Sequence, residues 1–239
     1  MPNPVLTIDE QQNIETGAWF SKLSAALQSA ILARATVRRL ADGDALASRG
    51  TPAEQWCGVA RGAVRISTVS LSGKQVTLTY AEPGTWFGDI ALFDGLPRTH
   101  DADAHGATAL LVVSKPDFKT LLAQHVELYD ALLRLNCRRL RLMFDHFEDL
   151  NTRPLQARLA KQLLLLARSY GTRQGDEIRI GLALAQEDLA QLLGASRQRV
   201  NQELKAFERD GARRAGKAGW LSMMRHLFAT TIGACRGSY

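Results

Sequence analysis

QEDLAQLLGASRQRVNQELK, residues 186–205, is the stretch on which the reading of this chain turns. It sets Ala190 four residues before Gly194 and ten before Val200. Two short helices meeting in a tight turn need those types: a small residue where they cross, a glycine in the turn, and an apolar residue that packs the second helix back on the first. Ser196 stands where its hydroxyl caps the second helix. The first turns of that helix project Arg197, Gln198, Asn201 and Gln202 outward, with Arg199 and Lys205 in the same segment. Arginine suits the edge of guanine and the amides suit adenine in a major groove. An ordinary helical hairpin with a solvated polar face has the same offsets, and charge separates the two readings. Residues 152–239 hold 15 Lys and Arg against 7 Asp and Glu, a net +8, whereas residues 1–151 sum to −2. The positive excess is confined to the segment that holds the motif, as a phosphate-contacting surface requires.

Outside that segment the composition is ordinary. The 239 residues give room for one large or two modest domains, and 46% hydrophobic with 23% charged residues excludes a disordered, fibrous or collagen-like chain. Cys57, Cys137 and Cys235 are odd in number and form no CxxC, so neither a disulfide framework nor a zinc ribbon is expected, and a reducing compartment fits. Asp9, Glu10 and Glu15 interrupt the first twenty residues, and no apolar run reaches the roughly 18 residues of a membrane span. A cytoplasmic protein with no membrane contact is expected.

Three textures follow one another. Residues 19–35 read as a short amphipathic helix carrying Phe20, Leu23, Leu27 and Ile31. From residue 40 to 114, glycines at 43, 50, 58, 62, 73, 84, 88, 95 and 106 separate short alternating runs, the pattern of a β-sandwich or barrel. From residue 117 to 150 there is no Gly or Pro, and the spacing predicts a short helix through Leu122 and a long one from about Val126. On the long helix Leu133, Leu140 and Phe147 stand seven apart, with Asn136, Met143 and Leu150 interleaved as an a/d seam would be. A second stripe of Leu128, Leu132, Leu135 and Leu142 implies a second partner, so one stripe is assigned to the barrel and one to a second subunit. A break follows at residues 151–154, where Thr152 or Arg153 is the expected N-cap and Pro154 the first helical position. Residues 155–170 then form a helix closed by Gly171, and residues 175–180 a hairpin arm.

A second motif lies in WFGDIALFDGLPRTHDADA, residues 86–104. A glycine–acid pair opening a helical turn, then an arginine beside a hydroxyl, can clamp a cyclic phosphate through backbone N–H groups and the guanidinium, while the acid accepts from a sugar hydroxyl. The order barrel, cassette, long helix, helix-turn-helix resembles the Crp/Fnr family of bacterial transcription regulators over about residues 20–210. The resemblance implies an α+β chain: a sensory jelly-roll barrel of the cyclic-nucleotide-binding type with its N-terminal helix at 1–115, a dimerisation helix at 116–151, and a winged helix-turn-helix domain at 152–239. It implies that Gly88 and Asp89 hold the ribose hydroxyl and that Arg98 and Thr99 hold the cyclic phosphate. It implies too that Ser196, Arg197, Gln198 and Gln202 serve DNA, and that residues 133–150 relay pocket occupancy. Double-stranded DNA, a second copy of the chain and RNA polymerase are the implied partners, with no cofactor required and a cyclic nucleotide or other small anion as effector.

The chain departs from the family pattern in four places. Asp89 is one methylene shorter than the family's glutamate. Met143 and Phe144 occupy positions where cAMP-responsive members carry a Thr-Ser pair on adenine, and neither supplies those hydrogen bonds, so cAMP is not the expected effector. The amino-terminal cysteine cluster of the oxygen-sensing branch is missing, which disfavours an iron–sulfur cluster. After Gly211 the sequence reads as coil and, from Leu221 to Ile232, a short helix rather than a wing hairpin. That motivates a second reading, a ligand-binding sensor or scaffold without DNA binding. A third, a metalloenzyme built on His100, Asp101, Asp103 and His105, is disfavoured because strand alternation puts only the last three on one face, and no metal site is expected. His146 as a haem ligand is disfavoured for lack of a second feature. Arg138, Arg139 and Arg141 read as a solvated helix face, with an intersubunit or interdomain salt bridge as the alternative. Trp86 and Phe87 read as barrel core. No enzymatic chemistry is expected.

Overall fold

Thr7 and Glu10 form a reciprocal cap: Thr7 Oγ1 accepts from the Glu10 N–H at 3.3 Å and a Glu10 carboxylate oxygen from the Thr7 N–H at 2.9 Å. This opens α1 (Ile8–Glu15), a helix that the sequence reading passes over. The computed structural model describes residues 5–71, 73, 75–174, 177–209, 213–215 and 219–222, and the chain divides into two compact units, Met1–Met143 and Phe144–Tyr239. The single helix expected at 19–35 is split. A 3-10 turn at Phe20–Lys22 precedes α2 (Ala25–Arg34), because the Ser24 hydroxyl accepts from Leu27 N–H and starts the helix there.

The strands of the first unit are β1 (Thr36–Leu40), β2 (Ala45–Ala47), β3 (Gln55–Val69), β4 (Gln75–Ala81) and β5 (Trp86–Phe87), then, after helix α3 (Ile90–Asp94), β6 (Asp101–Ser114). They form one six-stranded antiparallel sheet in the order β1-β6-β3-β4, with β2 on β6 and β5 on β3. Along β6 the pleat sorts residues onto two faces. Ala109, Leu111 and Val113 join one cluster, and Leu110 and Val112 the other. The second cluster draws Leu40, Ala47, Val59, Ala81, Phe87 and Ala104 from all six strands, as a sheet curled into a jelly-roll barrel does. The first is covered by α1, α2, α4 (Lys115–Gln124) and the start of α5 (Glu127–Thr152). At its centre Trp56 and Trp86 lie with ring centroids 4.3 Å apart, and Phe20 stacks on Trp86 at 5.7 Å. Trp86 and Phe87 are thus both core as expected, Trp86 buried in the first cluster and Phe87 packed against the second.

Helix α5 has the two stripes foreseen. Leu128 and Leu132 are fully buried against the barrel with Leu135 packed beside them, while Leu142 is exposed. On the seam, Leu133, Met143 and Phe147 are 65%, 67% and 69% exposed. The seam also extends backward at the same alternating spacing through Tyr129 and Val126, both exposed. The N-terminal segment grips the first turns of α5: Trp19 Nε1 donates to Ala131 O at 2.9 Å, and Ser24 donates twice to the Glu127 carboxylate.

In the second unit α6 spans Leu155–Tyr170, β7 Gly171–Gln174 and β8 Glu177–Ile180, followed by α7 (Gln186–Leu193) and α8 (Arg197–Arg209). The expected helix start is shifted: α5 runs through Thr152 and stops before Arg153, which as the residue ahead of a proline avoids helical backbone, and Pro154, with an extended ψ of 157°, is the N-cap of α6. Asp149 holds the two helices at this corner. It is buried, and its carboxylate accepts from Arg153 Nε at 2.7 Å and from Lys161 Nζ of α6. A larger correction concerns the wing. The backbone of β9 (Arg213–Ala215) and β10 (Gly219–Ser222) pairs as an antiparallel hairpin, and β10 extends the sheet to β7-β8-β10-β9. Sequence periodicity misses it because the edge of β8, a tertiary partner, supplies the hydrogen bonds that short weak strands need. The coil expected after Gly211, which motivated a sensor without DNA binding, is not what these residues form. Leu221 and Ser222 are strand, and the rest of the expected helix lies outside the described residues.

Glu10 closes α1 onto the barrel. Its carboxylate is buried with Arg39 at 2.7 Å and Arg61 at 3.5 Å, and the Arg39 hydrogen bond lowers its pKa from 4.5 to about 2. A carboxyl depressed on folding stabilises the native state above its unfolded pKa and ceases to do so as pH falls through the folded value. Glu10→Gln is therefore expected to cost about 2 kcal/mol at pH 7. In urea denaturation across pH, the difference from wild type should shrink between pH 4.5 and about 2. A pH-independent difference would count against the ion pair as its source.

Candidate effector pocket and nucleic-acid interface

At the end of β5, Gly88 has φ +94°, and a Cβ there would press to 3.1 Å on the Gln55 carbonyl oxygen, so the chain needs glycine at this turn. The same position lies 3.8 Å from Arg98 Nη1, which brings together the glycine and the arginine singled out in the sequence. The Arg98 backbone is tied to the turn before β3, its N–H donating to Thr51 O and its carbonyl accepting from Gly50 N–H, both at 2.8 Å. Among the described residues no carboxylate pairs with its guanidinium. Thr99 Oγ1 shares a hydrogen bond with His100 Nδ1 at 2.8 Å. Behind the cassette, burial pushes the Cys57 thiol up to about 12 against the opposing fields of Arg98 and Arg38, so it remains an unreactive thiol at neutral pH.

Asp89 is placed differently from its expected role. It is fully buried, and its side chain turns to α5. Its carboxylate accepts from Arg139 Nη1 at 2.9 and 3.0 Å and from Asn136 Nδ2 at 2.9 Å. Arg139 also donates to the Trp86 carbonyl and, at 3.2 Å, to Asn136 Oδ1. A sugar hydroxyl would have to share oxygens that already accept charge-assisted bonds. Arg139 is accordingly not a solvated charge, and Arg138 acts on Glu82, whose carboxyl burial pushes up and Arg138 pulls back. The sequence places Asn136 on the seam and Arg139 on a helix face but links neither to Asp89. A polar residue at a seam position that periodicity assigns to an apolar one was the available signal for the first. Met143 is exposed on α5 and is not brought to the cassette by any described bond.

The other polar residues of the barrel have separate partners. Asp101 accepts from the Arg49 N–H at 2.8 Å, Asp103 pairs with Arg65 at 3.4 Å, and His105 lies edge-on to Tyr80 with centroids 4.9 Å apart. Burial, then Arg49, lowers the pKa of His100, with Asp101 opposing.

In the second unit Gly194 ends α7 in the left-handed region at φ 60° and turns the chain into α8. Ala190 and Val200 are buried as the offsets require, and the Ser196 hydroxyl accepts from the Arg199 N–H at 3.3 Å. Arg158 Nη1 donates to the Leu193 carbonyl at 2.8 Å and so anchors the end of α7 on α6. With Val200, Leu204 and Phe207 turned inward, the opposite row of α8 is Gln198, Gln202, Lys205 and Arg209, all exposed, and Arg197 and Arg199 are exposed in the first turn. Asn201 is the exception among the residues expected to point outward. It is half-buried on the flank, and its Oδ1 accepts from Gln186 Nε2 at 2.9 Å.

Comparison with known proteins follows the same division. Residues 37–125 match the cyclic nucleotide-binding domain and residues 157–224 the Crp-like helix-turn-helix domain. A CRP-like cAMP-activated global transcriptional regulator of Mycobacterium tuberculosis is 33% identical over 186 residues, 77% of this chain and 83% of that protein. The global nitrogen regulator of Synechocystis is 29% identical over 157 residues, 65% of this chain and 70% of that protein. Among solved structures, FixK2 from Bradyrhizobium japonicum superposes with a TM-score of 0.73 at 21% identity, covering 82% of this chain and 96% of that one. The c-di-GMP responsive regulator CLP of Xanthomonas campestris gives 0.70 at 21% identity, covering 83% and 99%. At that identity the structures speak to fold, and the family follows from the two domain models and the first relative. The chain belongs to the Crp/Fnr family of transcription regulators, with a cyclic-nucleotide-binding-type sensory domain ahead of a DNA-binding helix-turn-helix domain.

Proposed function

We propose that a small anionic effector docks at Gly88, Arg98 and Thr99 and biases the DNA affinity of a homodimer. The domains on this reading are a sensor at 1–115, a dimer helix at 116–151 and a DNA-binding head at 152–239. The observation that carries it is the buried Asp89 carboxylate, held by Arg139 and Asn136 of the same helix whose apolar seam is exposed. An anion drawn to Arg98, whose guanidinium has no carboxylate partner among the described residues, changes the field at the cassette that Asp89 bolts to α5, so the pocket acts on the helix through this one pair. The effector must bind one state of that linkage more tightly than the other. Asp89 is assigned to the bolt rather than to a ribose. The Mycobacterium relative is named as cAMP-activated, but Met143 and Phe144 cannot clasp adenine by hydrogen bonds, so we assign a different anion. Arg197, Gln198, Arg199, Gln202 and Lys205 contact DNA after the Ser196 cap, and RNA polymerase is the further partner. The reading assigns no reaction to the chain and places it in the cytoplasm; no helix among the described residues is long and apolar enough to cross a membrane.

A thermal-shift screen of nucleotides and small anions, followed by gel shifts on the chain's own promoter region at low salt, tests the whole reading. Failure to bind any fragment with every effector tried would sink it. Within that assay the double variant Asp89→Asn/Arg139→Met, which leaves no buried charge uncompensated, is expected to leave effector binding largely in place and to erase about 5- to 150-fold of effector-dependent change in DNA affinity, the span of ordinary allosteric coupling. An unchanged response would remove Arg139 from the relay. For the reader helix, Arg197→Ala is expected to lose about 1–3 kcal/mol of discrimination at one base pair, whereas Lys205→Ala weakens all sequences alike and lowers the salt slope by about 1. Equal losses on specific and random DNA for Arg197→Ala would refute its assignment to a base.

A further inference from the structure

We infer that Gln186 determines base specificity: it opens the helix before the reader helix and joins Asn201 in a paired amide that reads one base pair as a unit. This rests on the DNA-binding reading above. Gln186 belongs to α7, outside the run of side chains that the sequence assigns to DNA, and its Nε2 donates to Asn201 Oδ1 at 2.9 Å. Asn201 lies one turn beyond the exposed Arg197, and both members of the pair keep part of their surface in solvent.

The bond decides what each amide has left to offer. A side-chain amide carries two N–H donors and a carbonyl with two lone pairs. Asn201 commits its carbonyl to Gln186 and keeps both N–H groups, while Gln186 commits one N–H and keeps its carbonyl. The pair therefore presents a donor from one helix beside an acceptor from the other. The major-groove edge of adenine carries the complement, an acceptor at N7 and a donor at N6. An isolated asparagine at this position could turn either end of its amide outward and would lose its rotamer freedom on binding. With the bond in place, the Nδ2 end is already the free one and that freedom is already lost.

A structural brace is the competing explanation, but the α7–α8 crossing has one of its own. Leu189, Ala190, Val200 and Leu204 are all buried, and the end of α7 is tied to Arg158. A half-exposed amide pair adds little to that packing, and it lies on the flank next to the outward row.

Selection from a randomised operator pool with the full-length chain, followed by binding to single base-pair variants of the selected site, tests the inference. Gln186→Ala and Asn201→Ala are each expected to flatten the preference at the same base pair by about 5- to 30-fold, and the double variant to go no further. Gln186→Met, which keeps the stem and loses the amide, should match Gln186→Ala, with preferences elsewhere in the site and affinity for random DNA unchanged. The inference is overturned if either Gln186 variant keeps every base preference of the wild type, if it weakens selected and random DNA alike, or if the losses multiply in the double variant. A wild-type chain that enriches no sequence would instead fail the DNA-binding reading itself, so the two failures are distinguishable.

Discussion

A carboxylate removed wholly from water must be met by a cation and by donors for its remaining lone pairs, and at Asp89 that requirement fixes how the sensory unit is put together. Arg139 and Asn136 meet it from one helix, and Arg139 reaches on to the Trp86 carbonyl. Removing either partner of such a pair leaves a buried charge uncompensated, typically at a cost of about 3–5 kcal/mol. The cassette and the first half of α5 are consequently one mechanical object. The aromatic cluster beneath them, joined to α5 again through Trp19, makes that object stiff.

Helix α5 divides its circumference among three tasks. Leu128 and Leu132 bury into the barrel core, Asn136 and Arg139 answer Asp89, and the seam from Tyr129 to Leu150 stays open to solvent. Asn136 belongs to both the seam and the Asp89 node, since its spacing places it between Leu133 and Leu140. A polar residue at one such position sets register in paired helices. Here its amide donates inward to Asp89, so a change at the cassette that freed this amide would also alter what the seam presents. Farther along, α5 ends at the Asp149 corner, where Arg153 and Lys161 fix the start of α6 without a side-chain cap.

Much of this was legible in the sequence, and the failures have identifiable physical causes. The helix-turn-helix could be read because a turn, a crossing and a cap each demand a residue type at a fixed offset, and Gly194, Ala190 and Ser196 meet those demands locally. The barrel could be read because glycines punctuate strands of period two. Helix α1 was legible in principle through the Thr7 and Glu10 capping box but lies in a segment with little apolar periodicity. The β9–β10 hairpin was not legible, because its strands are held by an edge of β8 distant in sequence. The partners of Asp89 and Asn201 were invisible for the same reason: 47 positions separate Asp89 from Asn136 and 15 separate Gln186 from Asn201. Residue type announced that these groups were polar, but only the fold determines where their hydrogen bonds go.

That distinction bears on what the pocket can recognise. Acidic residues in a binding cassette are ordinarily counted among the groups that discriminate between ligands, yet Asp89 meets its needs within the chain. On the proposed reading, discrimination falls to Arg98, whose guanidinium has no carboxylate partner among the described residues, and to the backbone around Gly88. A guanidinium beside a glycine turn favours a ligand that brings an anionic group to it, since a buried charge left unmet on either side would cost affinity. On the same proposed reading, the pairing that makes Asp89 a poor ligand group suits it to a relay. The fully buried Asp89 carboxylate responds to an added negative charge more than it would in solvent, because little water surrounds it to screen the field.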